Sequence, residues 1–563
     1  MGFAAAFLAG SSLVLASPEP APAHSVGGAV KGASLATDGS RVLQADSFKH
    51  YVAGFNQSDR ETVVNHIPNV AAWDWMSTNV PLFECSNKDL EEIYYFRWWT
   101  FRKHIKETAD GFVITEFLPK VTWSGKHNTI SCPAGHHFRE GRWIRNPKYL
   151  DEYSVFWFRK GGAPRRYSFW AADSIYQRAI ALGNFDRAVD LLPDLVANYA
   201  EWEKARLEPD GLFWQIDDRD GMEVSIGGRG HRGEGKRPTI NSYLYGDAVA
   251  IAAIAERAGK PEIVAEYRQK AERLRRLVLD KLWDDDAKFF KVLPRGEGSA
   301  RVDVRELHGY TPWYFGLPPR SEGYEIAWKQ LMDPQGFHAP FGPTTAERRH
   351  PGFTVSYQGH ECQWNGPSWP FATSVTLTAL ANVLNDYPQE SITRRDYFET
   401  LKTYTRSHRL KREDGAVVPW IDENLNPLSG DWIARTRLKS WRNGTWDPGK
   451  GGVERGKDYN HSTYCDLIIT GLVGLRPQAG DTVVVNPLLP EDTWDFFCLD
   501  GVPYHGRMLT ILWDRTGERY HKGKGLRVFA DGREIVASAA LGRITGTLPA
   551  IHAESRSSRE SGQ

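Results

Sequence analysis

Apolar positions recur every three to four residues over several stretches of the chain, and that spacing predicts amphipathic helices. The first begins near Asn87, where Leu90, Ile93, Tyr94 and Trp98 share a face and Ser86 or Asn87 is placed to cap it. Helical patterns return at about 148–160, 167–182 and 185–205, the last with Leu191, Leu195 and Tyr199 on one side. A small-residue helix follows over 240–258, and 261–283 shows a stripe of Ile263, Tyr267, Ala271, Leu274 and Val278. Segments 321–333, 367–386, 391–408 and 459–474 continue the series. Strands and helices do not alternate here, which argues against a Rossmann fold or a parallel barrel. Paired helices joined by long polar loops over 83–475 predict a mainly α toroid of hairpins. Past Arg476 the pattern changes. DTVVVNPLL, MLTILWD, GLRVFADG and REIVASA are β-branched or alternating and bounded by Gly, Pro and Asp, predicting a small antiparallel β module over 476–551.

Two interruptions stand out. Residues 110–147 break into loops and short extended pieces that carry Glu116, Trp123, His127, His136, His137, Glu140, Arg142 and Trp143. Asp210 to Asn241 places Asp217, Asp218, Asp220 and Glu223 beside Phe213 and Trp214, then runs into glycine-rich, basic sequence. Its glycines rule out a regular element over most of its length. A long acid-bearing loop between helices of a compact domain is usually functional.

Composition narrows the chemistry. The chain has 563 residues, with Lys+Arg and Asp+Glu balanced at 70 each, so neither a basic footprint for nucleic acid nor an acidic tail is present. Trp occurs 21 times, often beside Asp, Glu, His or Arg. Flat rings interleaved with polar groups suit sugars, whose C–H faces stack while their hydroxyls hydrogen-bond; a Trp-rich core accounts for the count equally well. Met1 to about Ser25 resembles a signal peptide without a positive n-region, giving an expectation of a secreted or periplasmic protein. A linker and N-terminal arm then span 26–82, and 552–563 form a Ser/Arg-rich tail. Nothing elsewhere approaches a membrane span. The five cysteines show no metal spacing, and the odd count leaves at least one unpaired within the chain. No zinc motif, P-loop or dinucleotide fingerprint is visible, so neither a metal nor a cofactor is expected.

Hydrolysis of a glycosidic bond needs one protonated carboxyl to assist the leaving oxygen and one ionised carboxyl to activate water or attack carbon. Glu223, flanked by Met222 and Val224, is the candidate acid; its plain alternative is a solvated acidic loop. Glu423 is the candidate base, in the rigid run Val418–Pro427; turn chemistry explains that run as well. Glu361 rivals both, in Gly359–Pro370, where Gln363, Trp364, Asn365 and Trp369 fit sugar-binding roles at a helix entrance. Tyr459 and His461 precede a late apolar helix.

These segments together resemble the inverting glycosidases of the (α/α)6-barrel type: trehalases, family 63 α-glucosidases and mannosylglycerate hydrolases. Arg219–Ser225 is similar to their Glu-Ser-Gly-Trp-Asp-x-Ser acid motif, with Glu223 where that group has Asp, and Asp220 for Ser. Glu423-Asn424-Leu425-Asn426-Pro427 resembles their base motif. Trp364–Pro370 is similar to their Trp-Arg-Gly-Pro-x-Trp-Pro loop, with Asn365 in place of Arg. Phe169–Tyr176 resembles a helix that offers an Asp, here Asp173, to the sugar. The resemblance implies a six-hairpin (α/α)6 toroid with a β-sandwich-like C-terminal module.

The resulting expectation is an exo-acting, inverting glycoside hydrolase with an oligosaccharide or glycan as its partner, and no nucleic-acid or membrane partner. Glu223 and Glu423 would stand about 6.5–9.5 Å apart. The expected substrate-binding residues are Trp214, Asp173, Asp220, Glu361, Gln363, Trp364, Asn365, Trp369, Trp420, His137 and Tyr459. Two rivals remain: a polysaccharide lyase or uronyl hydrolase using a Tyr or His base, and a carbohydrate-binding protein without activity.

Overall fold

Helices alternate along the chain in two sets. Lys88–His104, Lys148–Arg159, Leu192–Arg206, Pro261–Leu282, Lys329–Met332 and Arg394–Ser407 form one. Each is followed in sequence by a member of the other: Ala134–Gly141, Ala171–Leu182, Pro238–Arg257, Thr311–Tyr314, Pro370–Asp386 and Cys465–Leu467. Members of the second set touch in succession, and Cys465–Leu467 touches Ala134–Gly141 in turn. This computed structural model describes residues 41–228, 232–296, 298–412, 414–434 and 456–550. The signal-like stretch, the linker up to residue 40 and the C-terminal tail lie outside those residues. None of the described helices is long and apolar enough to cross a membrane.

Burial separates the two sets as their patterns require. Pro261–Leu282 buries Tyr267, Ala271, Leu274, Val278 and Leu282, the stripe expected of a helix covered on one side. Pro238–Arg257 is buried on nearly every side, as is Pro370–Asp386 up to Val383. Close packing there depends on small residues: a Cβ on Gly246 would come within 2.1 Å of the Phe315 ring, and one on Gly135 within 2.0 Å of Trp170. Pro133, Pro238, Pro312 and Pro370 stand at or just before the first turns, where a missing N–H costs nothing and a fixed φ starts the helix.

Asn87 caps the first long helix by accepting from the Leu90 amide at 3.0 Å, and Thr393 with Asp396 forms a capping box at Arg394–Ser407. Three expectations change. A helix, Ala134–Gly141, stands in the region read as loops, because its two glycines weaken the local signal and packing on all sides supplies the stability. The late helix begins only at Cys465 and passes into a π turn at Ile468–Leu472, so Tyr459–Thr463 is irregular. Residues 324–332 form a 3-10 turn followed by one α turn, in place of a continuous helix.

The C-terminal part is antiparallel, as its pattern predicts. A five-stranded sheet runs in the order Leu82–Cys85, Phe496–Tyr504, Arg507–Asp514, Gly525–Ala530, Arg533–Ser538. Leu475–Arg476, Thr482–Val485 and Ile544–Thr547 form a second sheet. The first strand comes from the boundary of the N-terminal arm: Leu82 pairs with Asp500 and Cys85 with Phe497. Four residues are too few for a periodicity to register. All five cysteines are free thiols.

Candidate active site

The loops that enter the second set of helices carry the chemistry. Glu223 lies in the loop before Pro238, Cys362 to Trp369 in the one before Pro370, and Glu423 and Tyr459–His461 in those before Cys465. His136 and His137 sit in the first turn of Ala134–Gly141. Helix N-termini carry unsatisfied N–H groups and a positive dipole end, an environment that favours acids and polar ligands.

Buried ion pairs hold the acid loop. Asp220 pairs with Arg237 at 3.1 Å, both fully buried, and accepts a hydrogen bond from Thr239. Glu306, paired with His308 at 3.0 Å, accepts from the Gly227 amide at 3.0 Å. The Met222 amide donates to the Asp217 carbonyl at 2.9 Å, closing the turn. Val224, next to Glu223, has φ +55°. A β-branched residue rarely adopts that conformation, which costs about 1–3 kcal/mol and persists only where the surroundings enforce it. Burial raises the Glu223 carboxyl well above its usual pKa range, and the charges of Glu423, Asp218 and Asp217 raise it further. Asp217 is pushed up to about 7 by burial, with Arg237 opposing and Asp218 adding to the shift.

The loop before Pro370 joins the segments that carry Glu223 and Glu423. The Trp364 amide donates to the Glu223 carbonyl at 3.1 Å, and the Cys362 thiol donates to Glu423 Oε1 at 3.2 Å. Ser368 and Leu425 exchange both backbone hydrogen bonds at 2.9 and 3.0 Å, tying the same loop to the base segment. Tyr459 donates its hydroxyl to Glu423 Oε1 at 3.1 Å, and His461 Nε2 donates to the Glu423 carbonyl at 3.1 Å. Glu423 itself is 3% exposed. Two donors on one oxygen fix the plane of its carboxylate.

Glu223, Cys362, Trp364, Trp369, Glu423, Tyr459 and His461 thus share one locality. Trp364 and Trp369 stack on each other with centroids 4.6 Å apart, and the Trp369 indole donates to the Gln363 carbonyl at 2.7 Å. Gln363 donates to Asn365 at 3.1 Å, so these two amides brace the loop. Glu361 accepts from Asn424 through its backbone carbonyl at 3.2 Å. His360, Glu361 and Cys362 bring one ligand atom each within 4.8 Å of one another, three neighbours in sequence whose His360 Nδ1 accepts from the Cys362 amide. Trp420 is buried on the approach to Glu423, with Lys457 over its ring at 5.6 Å.

Four expected contacts lie elsewhere or are already engaged. Trp214 is covered by the guanidinium groups of Arg206 and Arg295, 4.1 and 3.9 Å from its centroid, so it is no wall for a sugar. Along its strand the middle residue, Gln215, is the buried one, which turns Trp214 outward. His137 is satisfied on both ring nitrogens, by Tyr153 at 3.1 Å and the Asn460 carbonyl at 2.7 Å, and burial lowers its pKa to about 4. Asp220 is committed to Arg237. Asp173 accepts from Gln177 through Oδ1 at 3.1 Å and donates its amide to Asp247 at 3.0 Å, while its buried Oδ2 has no partner in the protein. Trp214→Ala is expected to leave kcat/KM within about twofold while costing roughly 1 kcal/mol of stability from the lost cation–π contacts; kinetics and urea denaturation read the two separately.

Cys362 carries no motif, and only the position of its thiol on Glu423 marks it. His136 differs from His137 only by one residue along a helix, about 100° of rotation, and which of the two faces the site cannot be told from adjacency.

Comparison with known proteins places the chain among glycoside hydrolases. The model of the mannosylglycerate hydrolase MGH1-like glycoside hydrolase domain matches residues 126–462, and that of the C-terminal domain of glycosyl hydrolase family 65 matches 475–537. Among solved structures, one titled "Sialidase" is 44% identical with a TM-score of 0.83, covering 90% of this chain and 45% of its own. The chain therefore spans less than half the length of that protein. A GH78 family rhamnosidase of Bacillus sp. GL1 is 12% identical with a TM-score of 0.50, over 77% of this chain and 40% of its own, a likeness of fold alone. A GH63 mannosylglycerate hydrolase from Thermus thermophilus, in complex with Tris, is 13% identical with a TM-score of 0.47, over 67% and 99%. With the first of the two models matching more than half of its residues, the chain belongs to the mannosylglycerate hydrolase MGH1-like glycoside hydrolase family.

Proposed function

We propose that this chain is an exo-acting glycoside hydrolase that works with inversion, built on an (α/α)6 toroid. The Ala134, Ala171, Pro238, Thr311, Pro370 and Cys465 helices form its inner ring, and each helix that precedes one of them completes a hairpin. Glu223 protonates the leaving oxygen, and Glu423 takes a proton from the water that attacks the anomeric carbon from the opposite face. One observation carries the reading: two glutamates from distant loops meet one connecting segment, Glu223 through its backbone carbonyl at Trp364 and Glu423 through its carboxylate at Cys362. Glu223 is held towards its protonated form. Glu423 Oε1 accepts from the Cys362 thiol and the Tyr459 hydroxyl.

Closure at one end supports exo action. Phe117, Val121, Ile130 and Tyr459 form a small apolar cluster, and the Asn460 amide donates to the Glu116 carbonyl at 3.1 Å. The 110–147 stretch is therefore packed against the base side of the site. A lyase would need a Tyr or His base, and the Tyr459 hydroxyl is already given to Glu423.

The test is a pH–rate profile on aryl glycosides. A raised acid stays protonated where an ordinary carboxyl has ionised, so kcat/KM should hold above the usual carboxylate range and fall as pH rises through the shifted value. Glu223→Gln should remove that alkaline limb and lower kcat by about 10²- to 10⁴-fold. Glycosides whose leaving group needs no proton should recover much of the loss. A variant that keeps the limb would falsify the assignment of the acid.

A further inference from the structure

Buried polar atoms without a protein partner are uncommon in folded chains and mark places where something else is bound. Among the described residues His136 has both ring nitrogens in this state, and His461 has Nδ1. The two side chains are 1% and 2% exposed. Unpartnered indole, guanidinium, carboxylate and hydroxyl atoms occur elsewhere in the described residues, as does His308 Nδ1, and His136 and His461 are singled out by their place beside the loops that hold Glu223 and Glu423. Both stand against Phe371, whose centroid is 4.5 Å from His136 and 6.3 Å from His461, with Trp364 at 6.1 Å on the same ring. The third imidazole of the locality, His137, has both nitrogens bonded.

We infer that His136 and His461 read the hydroxyl groups of an uncharged terminal sugar held beside Glu223 and Glu423. The inference rests on the hydrolase reading and adds the substrate class and its specificity residues. A neutral imidazole offers one donor and one acceptor, matching a hydroxyl, which acts as both. His461 gives its Nε2 hydrogen to the Glu423 carbonyl, which leaves Nδ1 as the acceptor. His136 offers one of each. Burial, followed by neighbouring positive groups, keeps both imidazoles well below their usual pKa, so neither supplies a charge for an acidic sugar. Three of the described cations close by have other partners. Arg97 donates to Ser462 at 2.8 Å and to His408 at 3.0 Å, Arg237 pairs with Asp220, and Lys457 pairs with Asp59 at 2.8 Å. A uronate or sialate carboxylate would enter next to the two acids Glu223 and Glu423, whose like charge opposes it.

The experiment uses the full chain with p-nitrophenyl glycosides of neutral hexoses, deoxyhexoses and pentoses, set against a glucuronide and a sialoside. Turnover is expected on a neutral member, with the acidic pair at least about 100-fold slower, as for a charge left without a partner. Monodeoxy analogues of that neutral substrate follow. Removal of one hydroxyl should cost the parent about 10- to 100-fold in kcat/KM and cost His136→Phe nothing further, because the hydrogen bond is already gone. His136→Gln keeps a donor and an acceptor and should retain part of the effect, with a cooperative melt confirming its fold. An equal deoxy penalty in the parent and in His136→Phe overturns the inference, and so does preference for an acidic sugar. Failure of the hydrolase reading is distinct: Glu423→Gln, which removes the base and not the acid, would keep full turnover. If the parent cleaves none of these glycosides, calorimetry with the free sugars decides. Binding of a neutral sugar that His136→Phe loses supports the assignment, and binding of none overturns it.

Discussion

Glu423→Gln is expected to lower kcat on a neutral aryl glycoside by about 10²- to 10⁴-fold with little change in KM, the range for loss of a general base. Gln keeps the size of the side chain, and its carbonyl oxygen still accepts from Tyr459 and Cys362, so the surrounding contacts survive. What disappears is the capacity to take a proton from water. The reaction products make the measurement more pointed: NMR of the first-formed anomer in the parent should show inversion, because a base that only activates water forms no covalent sugar–enzyme bond. A variant within tenfold of the parent, with an unaltered melting temperature, would remove Glu423 from the reaction.

The second large effect is on stability. Glu140, fully buried in the Ala134–Gly141 helix, caps a different helix. Its carboxylate accepts from the amides of Tyr464, Cys465 and Asp466, with the last two at 2.8 Å. Those N–H groups open the Cys465 helix and have no partner within it. Each buried amide left unsatisfied costs about 1–3 kcal/mol, so Glu140→Ala should lose on the order of 4 kcal/mol or more. Glu140→Gln keeps one carbonyl oxygen and should fall between that variant and the parent. Urea denaturation followed by tryptophan fluorescence reports both, and an unchanged midpoint for Glu140→Ala would contradict the capping role. Asp247 does the same for the Ala171 helix, accepting from the Asp173 amide at 3.0 Å. A carboxylate from one helix of the second set thus fastens the start of another, next to the loops of the candidate site.

Much of the site was legible because its backbone needed unusual residues. The prolines and glycine in 359–370 announced an irregular entrance to a helix, and the acid loop announced itself by the glycines between Asp220 and Gly235. Side-chain direction was not legible. Trp214 sits in sequence beside three acids, yet the alternation of a three-residue strand points it at two arginines. His136 and His137 are adjacent in sequence, and helical rotation gives only the second partners on both ring nitrogens. Glu140 looked like one polar residue among many in a loop. Its value depends on an amide end more than 300 positions further along the chain, which no local pattern records. The same holds for Cys362, an ordinary apolar residue until the base segment folds over it.

The strand Leu82–Cys85 sets the order in which the molecule can be completed. Its partner, Phe496–Tyr504, leaves the ribosome long after it, and Asp500 also accepts from the amides of Val42 and Leu43. Until that part is made, the early segment has an open hydrogen-bonding edge and apolar side chains waiting for cover. The sheet therefore acts as a late clasp between the two ends of the described chain, and a nascent chain stopped short of it would be exposed to self-association at that edge.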